Sequence, residues 1–414
     1  MDDWSGPLRR HPPTGREANA RRPESGAVLA QVREPEGRHG GEPSRSLGDE
    51  ALSLLTNDLA LAYRASGFEH AYIAYYRAWN YLSLGRKDDV LVEARRIGER
   101  LSFRSRSCPD QGGACGHDPF LRYFSGLLFE WGGEFNDAYV AYKQADLAAA
   151  TARERYGVRI PSDLGRRLVR LAGELGFEDE ADLYAEAYEV EREPGSAGDS
   201  CEVLVFWENG IIGHRQSVSL VIPIFKGERE KINDDIDGWS ETLSHRAYTP
   251  YERKKLDYLL RVSLPEYVPL PPAAGGAEMQ LGGKAADTRV AVDLSAMAAD
   301  ALDQAMGGIL TRAIARSLVK YLATEVAEDQ IGQGAGILVN LIGAALEHAD
   351  TRSWRSLPFE IQFTSLNLPA GSHDGTLVVW GADGEALEGA DFEGIEARPG
   401  EMLFLRHRTG PEPG

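Results

Sequence analysis

Cysteine is scarce in this 414-residue chain, which holds only Cys108, Cys115 and Cys201. Three thiols cannot staple a fold of this length, so a hydrophobic core has to do it. Positive charge is short too: 45 Lys and Arg stand against 64 Asp and Glu, a formal charge of −19. That balance argues against a general nucleic-acid binder, which needs a basic face to neutralise phosphates, and against tight binding to anionic lipid. Long apolar runs are missing. No stretch reaches the roughly 18 residues that span a bilayer, and the chain as given carries no secretory signal.

What is present falls into blocks. Residues 1–48 combine scattered Pro, Gly and Arg (GPLRRHPPTGREANARRPESG) with almost no large apolar side chains. They read as a disordered tail or a misassigned start, because so little burial cannot offset the entropy of ordering. From residue 49 to 192 apolar residues recur at helical spacing, broken by glycines at Gly67, Gly85, Gly133 and Gly176.

The best-formed stretch is FLRYFSGLLFEWGGEFNDAYVAYKQA, where Gly126, Phe129, Gly133, Ala138, Tyr142 and Ala145 follow one another at fixed steps. The same steps return as Ala78, Tyr81, Gly85, Val90, Ala94 and Ile97, and more weakly as Val169, Ala172, Gly176, Ala181, Ala185 and Tyr188. A further overlapping set runs Ala60, Tyr63, Gly67, Tyr72, Tyr76 and Trp79. The pattern resembles a tetratricopeptide repeat and predicts seven antiparallel helices between about 50 and 191.

Residues 193–200 read as a linker, 201–408 as an α+β domain and 409–414 as a tail. In that second domain CEVLVFW and SVSLVIPIF read as strands around the turn ENG. The proline-rich run Pro265–Gly283 reads as neither regular helix nor central strand. A long amphipathic helix follows from Leu294 to about Asp329, with Ala298, Leu302, Ala305, Ile309, Ala313, Leu318 and Leu322 near one face. Past the break IGQGAG comes a more apolar helix, ILVNLIGAALEHA, and then three strands, FEIQFTSLNL, GTLVVWG and EMLFLRHR. The fold class expected is α+β, mainly α, with helical repeats preceding an α+β domain.

Candidate chemistry is sparse. Cys108 and Cys115 flank CPDQGGACGHDP and leave three readings open: a disulfide, two free thiols, or a metal site with His117 and Asp118. The spacing fits no structural zinc pattern, so no metal and no cofactor is expected. GQGAG at Gly332–Gly336 follows a helix rather than a strand and reads as a helix break, not a phosphate loop. Glu69–His70 and His348–Asp350 lack a nucleophile or a third group at a readable spacing. Arg95, Arg96, Arg100 and Arg104 read as a solvated stripe paired with Glu93 and Glu99.

Longer segments resemble a family of uncharacterised bacterial envelope lipoproteins carrying tetratricopeptide repeats. They are GFEH…YYRAWNYLSLG, VEARR, YFSGLLFEWGGEFNDAYVAYKQA, VLVFWENG and ADTRSWRSLP. The resemblance implies a periplasmic or outer-membrane-associated protein, tied to a membrane only by a lipidated N-terminus that this chain does not show. It also implies an oxidising compartment for Cys108 and Cys115. Repeats of this type bind along the groove lined by the first helix of each pair. Carried over by position, that groove holds Tyr72, Tyr75 and Trp79, then Phe120, Tyr123, Leu127 and Glu130, then Asp163, Arg166 and Arg170. In ADTRSWRSLP, Asp350, Arg352 and Trp354 form either a site or a joint between helix and strand.

These observations together predict a non-enzymatic scaffold of the bacterial cell envelope that recruits a protein or peptide partner through its helical groove. The alternatives are a hydrolase-like or binding enzyme with a site near Asp350–Trp354, and a structural subunit of an oligomer.

Overall fold

Three glycines in the left-handed region set the geometry of the helical part. Gly85, Gly133 and Gly176 take φ of +64°, +79° and +80°, which a side chain would strain. Each closes the same pair of hydrogen bonds: Gly85 N–H to Leu82 O and Arg86 N–H to Tyr81 O, Gly133 to Glu130 and Glu134 to Phe129, Gly176 to Gly173 and Phe177 to Ala172. This is a Schellman ending, used three times to turn the chain back on itself. The computed structural model describes residues 63, 65–107, 118–157, 160–192, 200–225, 256–331, 348–381 and 383–410.

Around those turns stand three antiparallel pairs: α1 (Gly67–Ser83) with α2 (Lys87–Ser107), α3 (Pro119–Gly132) with α4 (Phe135–Tyr156), and α5 (Leu164–Glu174) with α6 (Glu178–Tyr188). Two of the starts are capped by side chains, at α1 and α3. Ser66 N–H donates to Glu69 Oε2 at 2.6 Å ahead of α1, and Leu121 N–H donates to Asp118 Oδ1 at 2.9 Å, with Pro119 beginning α3. Gly126 lets α3 and α4 touch, since a Cβ there would lie 2.4 Å from the Tyr142 ring. The seventh expected helix, the apolar helix near 337–346, the Cys108–Cys115 loop and GQGAG lie outside the described residues.

The remaining chain supplies β1 (Ser200–Asn209), β2 (His214–Phe225), β3 (Leu256–Val268), β4 (Ala274–Leu281), β5 (Lys284–Asp287), β6 (Arg289–Asp293), α7 (Leu294–Ile331), β7 (Glu360–Pro369), β8 (Gly371–Gly381), β9 (Ala386–Ala397) and β10 (Met402–Arg408). One sheet runs β10-β1-β7-β6, a second runs β5-β4-β8-β9, and β2 and β3 form a two-stranded ribbon. β1 is parallel to β10 and antiparallel to β7. The fold is α+β.

These elements stack in three layers, with the six helices on one face of the first sheet and the second sheet on the other. β1 lies in the middle and is apolar on both faces. Leu204 and Phe206 belong to the core shared with the helices, whereas Cys201, Val203, Val205 and Trp207 belong to the core between the sheets. A third, smaller core joins Ile222, Leu260 and Val262 of the ribbon to Ala313, Ile314 and Leu318 of α7.

Several expectations need correction. The helices and the first sheet share one continuous core, and β1 begins inside the expected linker, at Ser200. β4 is an inner strand of its sheet within the run expected to exclude one. It starts just past the last proline, and its small residues fit the packed interior. β9 was not expected, because its glycines and acids (ALEGADFEGIEA) mask the alternation. On α7, Ala298, Leu302, Ala313 and Leu318 are buried as expected, but Ala305 is exposed.

Candidate functional site

The face lined by the first helices is where the sequence places a partner groove, and the chain's own first sheet fills it. Tyr72, Tyr75, Phe120, Tyr123 and Leu127 have no exposed surface, and Trp79 has 5%. Phe206 of β1 is the plug. Its ring lies 5.2 Å from Trp79, 5.6 Å from Phe124, 6.3 Å from Phe120 and 5.0 Å from Phe363 of β7. Tyr123 meets Phe363 at 5.5 Å. Edge and tilted pairs of this kind contribute about 0.5–1.5 kcal/mol each beyond their buried area. The predicted groove aromatics are therefore core residues, and they cannot touch another molecule while β1 and β7 are in place.

Two acids on the helix-facing side of β1 are neutralised at its two ends. Glu208, with no exposed surface, accepts from Tyr75 Oη at 3.3 Å and from Arg406 Nε at 2.8 Å, while Arg408 Nη1 stands 3.7 Å away. At the other end Glu202 accepts from Arg167 Nη2. Arg167 is 4% exposed and also donates to Glu130 at 3.0 Å and Asp163 at 2.8 Å. Tyr123 Oη donates to Asp163 at 2.6 Å, Tyr142 Oη donates to Glu130 at 2.7 Å, and Arg170 also donates to Glu130.

The electrostatics follow from that crowding. Burial opposes ionisation of Glu130, but Arg167 and Arg170 outweigh it and hold the carboxyl below its usual range. Burial pushes Glu202 upward, and its acidic neighbours Asp163 and Glu130 add to this against the pull of Arg167. Glu130, Asp163 and Arg170 are thus brought together, as the groove positions predicted, but around an ion cluster inside the fold. Arg166 points elsewhere and is exposed. Reasoning from sequence missed Arg167, Glu202 and Glu208. The available signal was positional: Arg167 falls among Leu164, Leu168 and Leu171 on the apolar side of its helix. Glu202 and Glu208 share a strand face with Leu204 and Phe206, where an unpaired charge would be costly.

Comparison with protein-family models, with curated proteins and with solved structures gives no match for this chain. The site has to be read from its own geometry. The clearest convergence is at the end of β1 near Glu208, where GFEH, YYRAWNY, ENG and ADTRSW meet. Glu69 is 2% exposed and accepts from three groups: Tyr63 Oη at 2.7 Å, Ser66 N–H at 2.6 Å and Trp354 N–H at 2.9 Å. The Trp354 ring lies 5.9 Å from Tyr76, and Arg406 sits 5.0 Å over the other aromatic partner of that pair, the Tyr76 ring. Asp350 binds Arg352 through both oxygens at 2.8 Å, and burial's upward push on its carboxyl loses to that guanidinium.

In ADTRSWRSLP the Asp350–Arg352 pair is made and the Trp354 ring packs on Tyr76 of α1, while the helix this segment was expected to join lies outside the described residues. The segment is also a surface. Tyr63 is 41% exposed, Trp354 and Arg352 are half-buried, and Arg355 is exposed. Elsewhere, a shallow cleft of about 590 Å³ on the second sheet is lined by Gly282, Lys284, Asp374, Thr376 and Asp391. Two of its polar groups are already engaged locally, as Thr376 Oγ1 donates to Asp391 at 2.9 Å and Lys284 Nζ to the Asn367 carbonyl at 2.5 Å. In the predicted basic stripe on α2, Arg96 pairs with Glu93 at 2.7 Å, Arg95 pairs with Glu134 rather than Glu99, Arg100 donates to the His70 carbonyl, and the Arg104 side chain lies outside the described residues. No described helix is long and apolar enough to cross a membrane.

Proposed function

We propose that this chain is a non-enzymatic protein–protein interaction scaffold of the bacterial cell envelope, built on tetratricopeptide-type helical repeats. The observation that carries the repeat reading is the threefold Schellman turn at Gly85, Gly133 and Gly176, with the same hydrogen bonds at the same register. The turns fall 48 and 43 residues apart, wider than the roughly 34 of the strict repeat, partly because α2 and α4 run to 21 and 22 residues. The envelope assignment rests on the resemblance of the five segments named above.

A filled groove changes how such a scaffold would work. In an open repeat array the inner face is the usual receptor; here that face holds the chain's own sheet, with which it shares one core. Recruitment then belongs to surfaces on its outside. The test is crosslinking in intact cells of the native host, followed by purification of the tagged full chain from the envelope fraction. The expected result is one protein recovered reproducibly in crosslinked form. Recovery of the chain from the cytosol, or of no reproducible crosslinked partner, overturns the reading.

A further inference from the structure

On a chain with a formal charge of −19, one surface is basic. Arg352, Arg355, Arg406 and Arg408 surround Trp354, and Arg215 joins them by donating to the Arg352 carbonyl at 3.4 Å. Arg408 is fixed through the Ser356 carbonyl at 2.6 Å, beside the Ser356 hydroxyl that accepts from Trp354 Nε1 at 2.6 Å. Three carboxylates share the neighbourhood. Glu69 and Glu208 are buried and fully engaged, and Asp350 is clamped by Arg352. Among the described residues, five guanidinium groups against three carboxylates leave an excess of positive charge, and the acids are the more deeply placed.

The exposed part of this patch is suited to a ligand. Arg352, Arg406 and Arg408 keep about a third of their side-chain surface open (31%, 28% and 30%). Arg355 is exposed and pairs with no carboxylate among the described residues. Tyr63 and Trp354 provide partly exposed rings between these cations. The Ser353 hydroxyl is buried beside them with no partner among the described residues. Guanidinium groups bind carboxylates with two parallel hydrogen bonds, and aromatic rings beside them give an apolar side chain a place to lie.

We propose that this patch is the docking surface for an acidic peptide segment of a protein partner, whose carboxylates engage Arg355 and Arg408 while an apolar side chain lies on Trp354 and Tyr63. The inference rests on the scaffold reading and adds the chemistry of its partner. A short acidic segment fits better than a nucleic acid or an anionic membrane. Either of those would bring many more charges against the surrounding acidic surface than a small excess of arginine can attract.

The test uses the full chain and a fluorescein-labelled Asp-Glu-Leu-Glu-Asp peptide in an anisotropy titration, with Lys-Lys-Leu-Lys-Lys as its counterpart. The acidic peptide is expected to bind and the basic one not to. Arg355→Glu should weaken binding about tenfold or more with no change in melting temperature, because Arg355 is exposed and unpaired; Arg166→Glu, on the helical layer, should leave it unchanged. Binding that ignores Arg355→Glu overturns the proposal. So does tighter, Arg355-dependent binding of phosphatidylglycerol vesicles or of a single-stranded oligonucleotide. Repeating the in-cell crosslinking with Arg355→Glu separates the two claims: a partner that persists leaves the scaffold standing and removes this surface. Absence of any partner with the unaltered chain removes the scaffold, and the titration alone then judges the patch.

Discussion

Asp118 accepts from Leu121 N–H at 2.9 Å and from Tyr72 Oη at 3.1 Å, and burial pushes its pKa up to about 6 despite those bonds and nearby Arg122. The folded value lies above the 3.8 of an unperturbed carboxyl, so the folded state holds the proton more tightly than the unfolded chain. Stability from this group is therefore greatest at low pH, falls between about pH 4 and pH 6, and is lower by about 3 kcal/mol above that range. Asp118→Asn keeps a good helix cap without the charge. In urea denaturation across pH, the variant should match the parent near pH 4 and exceed it by about 2–3 kcal/mol at pH 7.5. A difference that does not vary with pH would sink this account. Arg167 is the opposite case, a single cation holding Glu130, Asp163 and Glu202 inside the protein. Arg167→Met leaves those acids facing one another and should cost about 3–5 kcal/mol in the same measurement. A loss below about 1 kcal/mol would mean that water already reaches the cluster.

Among the helices, Gly126 and Gly133 are seven residues apart and are glycine for different reasons. A Cβ at Gly126 would meet the buried Tyr142 ring at 2.4 Å, whereas Gly133 has open space but a φ of +79°. Gly126→Ala should therefore destabilise by about 1–3 kcal/mol despite alanine's better helix propensity, and removing the ring with Tyr142→Leu should recover part of that loss. Gly133→Ala should cost about 1–2 kcal/mol with no rescue at Tyr142. A double-mutant cycle by thermal unfolding checks both, and additive losses for Gly126 and Tyr142 would refute the contact. These small residues were legible because their cause is local: a turn or a helix contact within some twenty residues leaves a repeating spacing. β1 was legible as a strand for the same reason. Its partners were not, since Phe206 facing Trp79 and Glu202 facing Arg167 depend on which surface the sheet covers, and no period records that. β9 was lost because half of its face is solvated and its glycines interrupt the alternation. The groove aromatics were assigned to the right face of the right helices. Whether that face met a partner or the chain itself was decided by residues more than eighty positions away.

At the scale of the whole molecule, the helical layer shares its core with the strands. Its inner face is a sheet of rings, with Phe120, Phe124 and Trp79 all pressed on Phe206, Tyr75 packed behind them on Phe120, Phe124 and Trp79, and Phe404 also meeting Trp79 at 6.0 Å. Cut from the strands, the six helices would expose that apolar face together with Arg167 deprived of Glu202 and Tyr75 deprived of Glu208. Autonomous repeat arrays survive truncation because each unit buries its face against the next. Here the burial runs crosswise, from every first helix to β1 and its neighbours, so stability should not partition by segment. A fragment of residues 49–192 made alone should bind a hydrophobic dye, fail to unfold cooperatively and aggregate. Co-expressed with residues 200–410 it should be recovered as a one-to-one complex whose far-ultraviolet spectrum matches the intact chain, because the interface is a core cut in half. Phe206→Ser in the strand fragment should abolish that recovery while leaving the core between the two sheets intact, since Val203, Val205 and Trp207 face the other way. If residues 49–192 instead give a monomer with a sharp unfolding transition, the groove is only covered by the sheet rather than built on it. The inner face would then return as a surface that opens to a partner.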